Sequence, residues 1–128
     1  MIYTVGYGGR TAKRFIQLLR EHGIELVVDV RRFPTSKKEE FKRENLEAML
    51  RENGIGYVWL GDLLGGFRRG GYEKYAKSDK FNEGINKLLE LAEGKNIASM
   101  CLERNVKYCH RRFIVQRLEE IGVEVVNL

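Results

Sequence analysis

The fold of this chain is indicated most clearly by the run Leu26-Val27-Val28-Asp29-Val30, in which only one residue is polar. Such a run is typical of a parallel strand that is buried on both faces of a sheet. Further strand patterns occur at residues 2–5, 57–60, 96–101 and 123–126. Segments with apolar residues at helical spacing separate them, at residues 15–19, 46–50, 81–92 and 113–121.

The regular alternation of strands and helices decides the fold class. It predicts one α/β domain over residues 1–128, with a mostly parallel five-stranded sheet and helices on both faces, in a Rossmann-like three-layer arrangement. Two stretches, at residues 31–40 and 61–71, are predicted to be irregular loops rich in basic and glycine residues. Long loops of this kind in a small domain are usually functional or mobile.

Length and composition limit the class of protein. The chain has 128 residues, of which 43% are hydrophobic and 32% are charged, as in a folded domain rather than a disordered segment. No apolar run approaches the roughly 20 residues that a membrane helix needs, and the first residues lack a signal-peptide pattern. We therefore expect a cytoplasmic protein without membrane association, and no cofactor; the oligomeric state stays open.

The basic residues suggest the chemistry of a partner. The net charge is +5, and the excess is concentrated near the predicted strand ends. Clustered basic charge favours nucleic acid or a phosphate-bearing small molecule as the partner. A surface rich in Lys and Glu, as in heat-adapted proteins, explains the same composition equally well. The clustered residues are Arg31, Arg32, Lys37, Lys38, Lys42, Arg43, Arg68, Arg69, Arg104, Lys107, Arg111 and Arg112.

Both cysteines lie in one segment, Met100-Cys101-Leu102-Glu103 followed by Cys109-His110-Arg111-Arg112. The segment follows a predicted buried strand, and open α/β sheets bind ligands beyond the carboxyl ends of their strands. In a reducing compartment the two cysteines are expected to be free thiols, metal ligands or redox partners rather than a structural bridge.

Three interpretations of this segment stay open. Cys101, Cys109 and His110 could bind zinc, although their spacing matches no familiar zinc site. Cys109 could be a nucleophile beside Arg111 at a helix N-terminus, although neither cysteine has an arginine six positions later, as a phosphatase loop requires. Finally, Glu103, His110 and Arg111 could be the working polar groups, with Cys101 merely buried.

Two further groups of residues complete the candidate site. Asp29 ends a buried strand and could act as a general base, with Arg31 as an anion clamp, or the two could form a structural pair. The glycine turn after the first strand could bind a phosphate through its backbone, or could be an ordinary turn. Its residues are Tyr7, Gly8, Gly9 and Arg10. The further phosphate-contact candidates are Lys37, Lys38, Arg68, Arg69 and Arg111, and the stacking candidates are Tyr7, Phe67 and Tyr72.

The whole chain resembles the domain-of-unknown-function family numbered 488. The resemblance rests on Tyr3-Thr4-Val5-Gly6-Tyr7, on Asp29-Val30-Arg31 with Phe33-Pro34-Thr35-Ser36, and on the Cys101-x-Glu103 and Cys109-His110-Arg111 signature. It implies one α/β domain with polar residues gathered at one sheet edge, and no activity. Many members have Gly-His-Ser where this chain has Gly6-Tyr7-Gly8, so a role for that histidine cannot be carried over.

These residues favour an enzyme that acts on nucleic acid or nucleotides, cleaving at a modified or damaged base. Asp29 and Glu103 would supply the carboxylates for such a reaction, with His110 and Cys109 as further catalytic candidates. A base in a duplex would first have to be flipped out. The alternatives are a non-catalytic module that binds nucleic acid or nucleotides, and a thiol- or zinc-dependent enzyme.

Overall fold

The computed structural model describes residues 1–128 and contains five strands and six α-helices. The strands are β1 (Ile2–Gly6), β2 (Leu26–Asp29), β3 (Gly56–Trp59), β4 (Ile97–Cys101) and β5 (Val125–Asn127). The helices are α1 (Ala12–Glu21), α2 (Arg43–Glu52), α3 (Gly61–Leu64), α4 (Tyr72–Tyr75), α5 (Asp79–Leu91) and α6 (Arg111–Glu120). Short 3₁₀ turns occupy Glu39–Phe41 and Val106–Tyr108.

The five strands form one sheet in the order β3-β2-β4-β1-β5, and every pair of neighbours is parallel. The predicted α/β fold with a parallel five-stranded sheet is therefore confirmed. All five residues of the central strand β4 are buried. The register pairs Gly6 with Cys101 and Asp29 with Met100, so β1, β2 and β4 end at nearly the same level. The segments that follow them meet at one edge of the sheet.

Each face of the sheet has its own hydrophobic core, as the three-layer prediction requires. Residues of α1 and α2 pack on one face, among them Phe15, Leu19, Leu46 and Leu50. Residues of α3, α5 and α6 pack on the other, among them Leu64, Phe81, Ile85, Leu88, Ile114 and Leu118. From β1 the chain adds β2 and β3 on one side of the sheet. It then returns to place β4 between β2 and β1, and adds β5 on the other side of β1, so the direction of the strand order reverses between β4 and β1. A reversal of this kind leaves a crevice at the carboxyl ends of the strands.

Local sequence explains where the longer helices begin. Thr11 precedes α1 and its hydroxyl accepts a hydrogen bond from the backbone N–H of Arg14, while Ser78 caps α5 through the N–H of Phe81. Such caps contribute about 1 kcal/mol each. The prediction that residues 61–71 are wholly irregular is wrong, because α3 occupies Gly61–Leu64. The short helix is held by its packing: a Cβ on Gly84 of α5 would lie 2.6 Å from the Cδ2 atom of Leu64.

None of these helices combines the length and the apolar character that a crossing of the bilayer demands.

Candidate functional site at the carboxyl edge of the sheet

A cavity of about 350 Å³ opens at the edge where β1, β2 and β4 end. This volume lies in the range of small-molecule sites, roughly 300–1,000 Å³. The segments that follow the three strands, together with the loop after α3, supply its lining. The lining residues are Tyr7, Arg31, Arg32, Phe33, Thr35, Gly66, Phe67, Cys101, Leu102, Glu103, Tyr108, Cys109 and His110.

One wall of the cavity is aromatic and exposed to solvent. Phe33, Phe67 and Tyr108 expose 61%, 83% and 78% of their surface. The rings of Phe33 and Phe67 contact one another, with centroids 5.9 Å apart. Phe67 also has a φ of 58°, in the left-handed region that non-glycine residues seldom adopt. Exposed apolar side chains, one of them in an unfavourable backbone conformation, are typical of a contact surface.

The predicted general base Asp29 lies outside the cavity. Its side chain is fully buried, and both carboxylate oxygens accept hydrogen bonds from within the protein. The donors are the N–H and Nε of Arg31, at 3.0 and 2.9 Å, its Nη2 at 2.8 Å, and the Tyr57 hydroxyl at 2.6 Å. Burial and the charge of Asp29 raise the pKa of Tyr57. Asp29 is therefore part of a closed network and does not face Glu103 across the cavity.

Arg31 connects that network to the cavity. Its guanidinium also donates to the carbonyl oxygens of Thr35 and Phe41, at 3.2 and 2.7 Å. The loop between β2 and the 3₁₀ turn is thereby held at both ends, and this loop carries Phe33. Burial lowers the pKa of Arg31, but the hydrogen bond and charge of Asp29 outweigh it, so that the pKa is raised overall. Arg31 is 7% exposed and remains a cation in the cavity floor.

The two cysteines meet in the cavity floor. Cys101 and Cys109 are paired through their Sγ atoms, which leaves no free cysteine, and their Cα atoms lie 7.8 Å apart. That Cα separation exceeds the roughly 4.4–6.8 Å usual for a disulfide. Arg111 donates from its Nε to Cys101 Sγ at 3.0 Å and from its backbone N–H to Cys109 Sγ at 3.5 Å. The structure thus brings both sulfurs and one guanidinium together.

Arg111 is the largest fully buried side chain of the molecule, at 1% exposure. Its Nη2 donates to the carbonyl oxygen of Glu103, across the loop that joins β4 to α6. Burial lowers the pKa of Arg111 to about 10, opposed by the charge of Glu103. The side chain is therefore charged at neutral pH. A phosphatase loop has its arginine six positions after the cysteine. Because ten positions separate Cys101 from Arg111, that spacing did not predict their contact.

His110 is held as a neutral ring. Burial lowers its pKa to about 4, opposed by a hydrogen bond to the carbonyl of Val30 and reinforced by the charges of Arg111 and Arg68. The Nε2 atom lies 3.0 Å from that carbonyl oxygen, which can only accept, so Nε2 carries the proton. The unprotonated Nδ1 then lies 3.7 Å from Cys109 Sγ. His110 thus presents its unprotonated nitrogen to Cys109.

The glycine turn has a structural explanation. The N–H of Gly8 donates to the carbonyl of Leu102 at 2.8 Å, and the N–H of Arg10 donates back to Tyr7 at 3.0 Å. Gly9, with a φ of 72°, completes the turn. Of this group only Tyr7 lines the cavity. Its ring is buried and stacks on Phe41, with centroids 4.3 Å apart.

The other predicted phosphate contacts lie around the cavity rather than in it. Arg10 donates to the carbonyl of Gly6, and Lys38 donates to the carbonyl of Arg10 at 2.6 Å. Arg68 holds the loop after α3 by donating to three carbonyl oxygens and lies over the ring of Tyr75. Lys37 and Arg69 are exposed and lie outside the cavity lining. The predicted stacking residue Tyr72 instead donates to the carbonyl of Leu64.

Zinc is not supported by the arrangement of the side chains. No group of three or more His, Cys, Asp and Glu side chains is placed to hold a metal ion. His110 turns one nitrogen to a carbonyl and presents only the other toward Cys109. The sulfurs meet each other instead of converging on a common centre.

Sequence reasoning did not single out Phe33, Thr35, Leu102 or Tyr108 as site residues. Phe33 could have been found from its place just after the strand end, within the loop that Arg31 holds. Tyr108 gave no such signal, since its place in the site depends on how the loop between β4 and α6 folds back.

Comparison with known proteins identifies a family and a related fold. The family model "Domain of unknown function DUF488" matches residues 11–118. No curated protein matches the chain. A crystal structure from Shewanella putrefaciens CN-32, described as "Putative phosphatase (DUF442)", is 16% identical and superposes with a TM-score of 0.55. The match covers 94% of this chain but 64% of that one, less than two thirds of its length. At this identity the likeness shows the fold alone.

Proposed function

We propose that this chain, which belongs to the DUF488 family, is an enzyme that acts on nucleic acid or nucleotides and cleaves at a base held in the cavity. The exposed aromatic wall formed by Phe33, Phe67 and Tyr108 is the observation that carries the proposal. Bases stack on aromatic side chains with about 1–3 kcal/mol per base, whatever their sequence. A wall of three such rings beside a small cavity suits one unstacked base.

The charges around the cavity suit the phosphates of such a ligand. Arg31 and Arg32 line the cavity, and Arg104 and Lys107 are exposed in the loop that carries Glu103. None of these four residues except Arg31 forms an ion pair with a carboxylate. Arg32, Arg104 and Lys107 are therefore available to phosphate oxygens.

Glu103 is the carboxylate of the proposed reaction. It is the one acidic residue that lines the cavity. A carboxylate there would activate water or stabilise the positive charge that develops on the sugar as the base leaves. The neutral ring of His110 would accept a proton. Asp29 takes no part in the chemistry in this proposal and instead positions Arg31 and its loop.

The test is incubation of the pure protein with labelled single-stranded and duplex oligonucleotides that carry different modified bases and abasic sites. Cleavage at one class of base is expected, and Glu103→Gln should abolish it. Glu93→Gln is the matched control, because Glu93 is exposed beyond α5, at the opposite edge of the sheet, and should cleave normally. Binding that weakens with salt, without cleavage by either protein, would instead make the chain a binding module.

A further inference from the structure

The pairing of Arg111 with Cys101 is not needed for the proposed base chemistry and calls for its own explanation. Arg111 is fully buried and forms no ion pair with any carboxylate within 4 Å. Glu103 is its acidic neighbour, but the side chain of Glu103 is exposed, and only its carbonyl accepts a hydrogen bond from Arg111. A charge removed from water needs a partner of opposite sign nearby.

Once the pair with Cys109 is reduced, the sulfur of Cys101 is the atom placed to be that partner. It lies 3.0 Å from Arg111 Nε and receives an N–H hydrogen bond. A guanidinium donor stabilises a thiolate, and the thiolate is the nucleophilic form of cysteine. Cys101 also ends the central strand and lines the cavity. Cys101 is 4% exposed, so a substrate would reach it through the cavity.

The surroundings of the sulfur favour an anionic electrophile. Arg31 lines the cavity, and the buried Arg111 guanidinium, which is not part of the lining, lies 3.0 Å from the Sγ atom of Cys101. The backbone N–H groups of Leu102, Glu103 and Arg104, which follow Cys101, donate to no acceptor in the protein. Consecutive free N–H groups next to a cation bind phosphate oxygens.

We propose that Cys101 is a nucleophile that takes the phosphoryl group of a phosphomonoester, with Arg111 stabilising the thiolate. A sulfur–phosphorus bond forms as the ester phosphorus–oxygen bond breaks. The leaving oxygen departs with the electron pair and takes a proton from water. A water molecule then attacks phosphorus, the sulfur–phosphorus bond breaks, inorganic phosphate is released, and Cys101 returns to the thiolate. This chemistry rests on the sulfur and the guanidinium; only the choice of a nucleotide as leaving group rests on the proposed function.

Cys109 determines the conditions of the test. Its sulfur is paired with that of Cys101, and two molecules of a thiol such as glutathione can reduce the pair to two thiols and leave as glutathione disulfide. The joined pair has no thiolate. The reaction must therefore be measured with dithiothreitol present, and adding glutathione disulfide should stop it reversibly.

The experiment measures hydrolysis of p-nitrophenyl phosphate and of a 5′-phosphorylated oligonucleotide by the full chain in dithiothreitol. Cys101→Ser should reduce hydrolysis to background, and Arg111→Lys should reduce it by at least about 100-fold. Arg112→Lys, which changes the exposed neighbouring arginine, should remain within twofold of wild type. Thermal unfolding of each variant tests that it is folded.

A second measurement does not depend on the variants. The wild-type protein is quenched in acid during turnover, and its peptides are analysed by mass spectrometry. A phosphoryl group on the peptide at Cys101 is expected. Wild-type rates in Cys101→Ser, a phosphoryl group on another residue, or no hydrolysis of either substrate by the reduced protein would overturn the proposal. Cys101-dependent hydrolysis of p-nitrophenyl phosphate alone would support the chemistry and leave the nucleotide proposal without support.

Discussion

Asp29 and Arg31 form a two-pronged ion pair inside the protein, with Nη2–Oδ2 and Nε–Oδ1 distances of 2.8 and 2.9 Å. The pair lies where β2 ends, and the same guanidinium reaches the loop that carries Phe33. Asp29, which the sequence suggested as a general base, thus positions Arg31 and, through it, the loop that lines the cavity.

Breaking this pair should be costly for stability. Asp29→Asn leaves the buried Arg31 charge without its partner, and we expect a loss of about 3–5 kcal/mol in the free energy of unfolding. Urea unfolding measures it. Glu47→Gln serves as the control, because the Glu47–Arg51 pair is largely exposed and should contribute at most about 1 kcal/mol. Equal stability of Asp29→Asn and wild type would contradict the structural role.

The buried ring of His110 should make stability depend on pH. Its pKa is lowered to about 4 in the folded protein, whereas an exposed histidine titrates near 6.5. Between these values the unfolded chain binds a proton that the folded protein does not, so stability should fall as pH decreases from about 6.5 to 4, by up to about 3 kcal/mol. Above pH 6.5 the ring has no effect.

Urea unfolding at pH 7 and pH 4.5 checks this dependence in wild type and in His110→Gln. The glutamine does not titrate, so the variant should lose less stability over that interval than wild type does. Identical losses in the two proteins would show that His110 is not the group responsible.

Substitution of Phe67 should weaken ligand binding without lowering the stability of the fold. Its ring is 83% exposed and its φ is 58°, a conformation that glycine adopts without strain. Phe67→Gly should therefore leave the free energy of unfolding unchanged or raise it by up to about 1 kcal/mol. The same change should weaken binding of a single-stranded oligonucleotide by about 1–3 kcal/mol if the ring stacks on a base. Fluorescence anisotropy gives the affinity, and unaltered affinity would exclude the stacking role.

Gly6 should tolerate no side chain. A Cβ there would lie 2.0 Å from the backbone carbonyl oxygen of Glu103, so Gly6→Ala must displace the loop after β4. We expect a loss of at least about 3 kcal/mol in the free energy of unfolding. Gly122→Ala is the comparison, because its Cβ would meet nothing within 4 Å and only its φ of 83° is unfavourable. It should lose about 1–2 kcal/mol. Similar losses in both would argue against the close contact.

The fold was more predictable than the site, and the reasons are physical. The run Leu26–Val30 had to be buried on both faces, and this fixed the class of sheet before any contact was known. The helix α3 escaped prediction because its four residues are held by packing on Gly84 rather than by local periodicity. The hydrogen bond from the Tyr57 hydroxyl to Asp29 depends on the register between β2 and β3. The sequence pattern does not specify that register.

Within the site, several residues beyond strand ends and the loop residue Phe67 were foreseen, whereas Phe33 and Tyr108 were not. Glu103, His110 and Arg31 were identified from their places just beyond buried strands or at a helix start. Tyr108 and the contact between Cys101 and Arg111 depend on the path of nine intervening residues, and no fixed spacing describes such a path.

The strand order has a consequence for synthesis on the ribosome. Both neighbours of β1, namely β4 and β5, come from the last third of the chain, so β1 has no strand to pair with until that part has emerged. Pairings over such long separations form slowly. The cavity draws its lining from both halves of the chain, at Tyr7 and Arg31 and at Cys101 to His110. The complete lining is therefore present only once both halves of the chain have folded together.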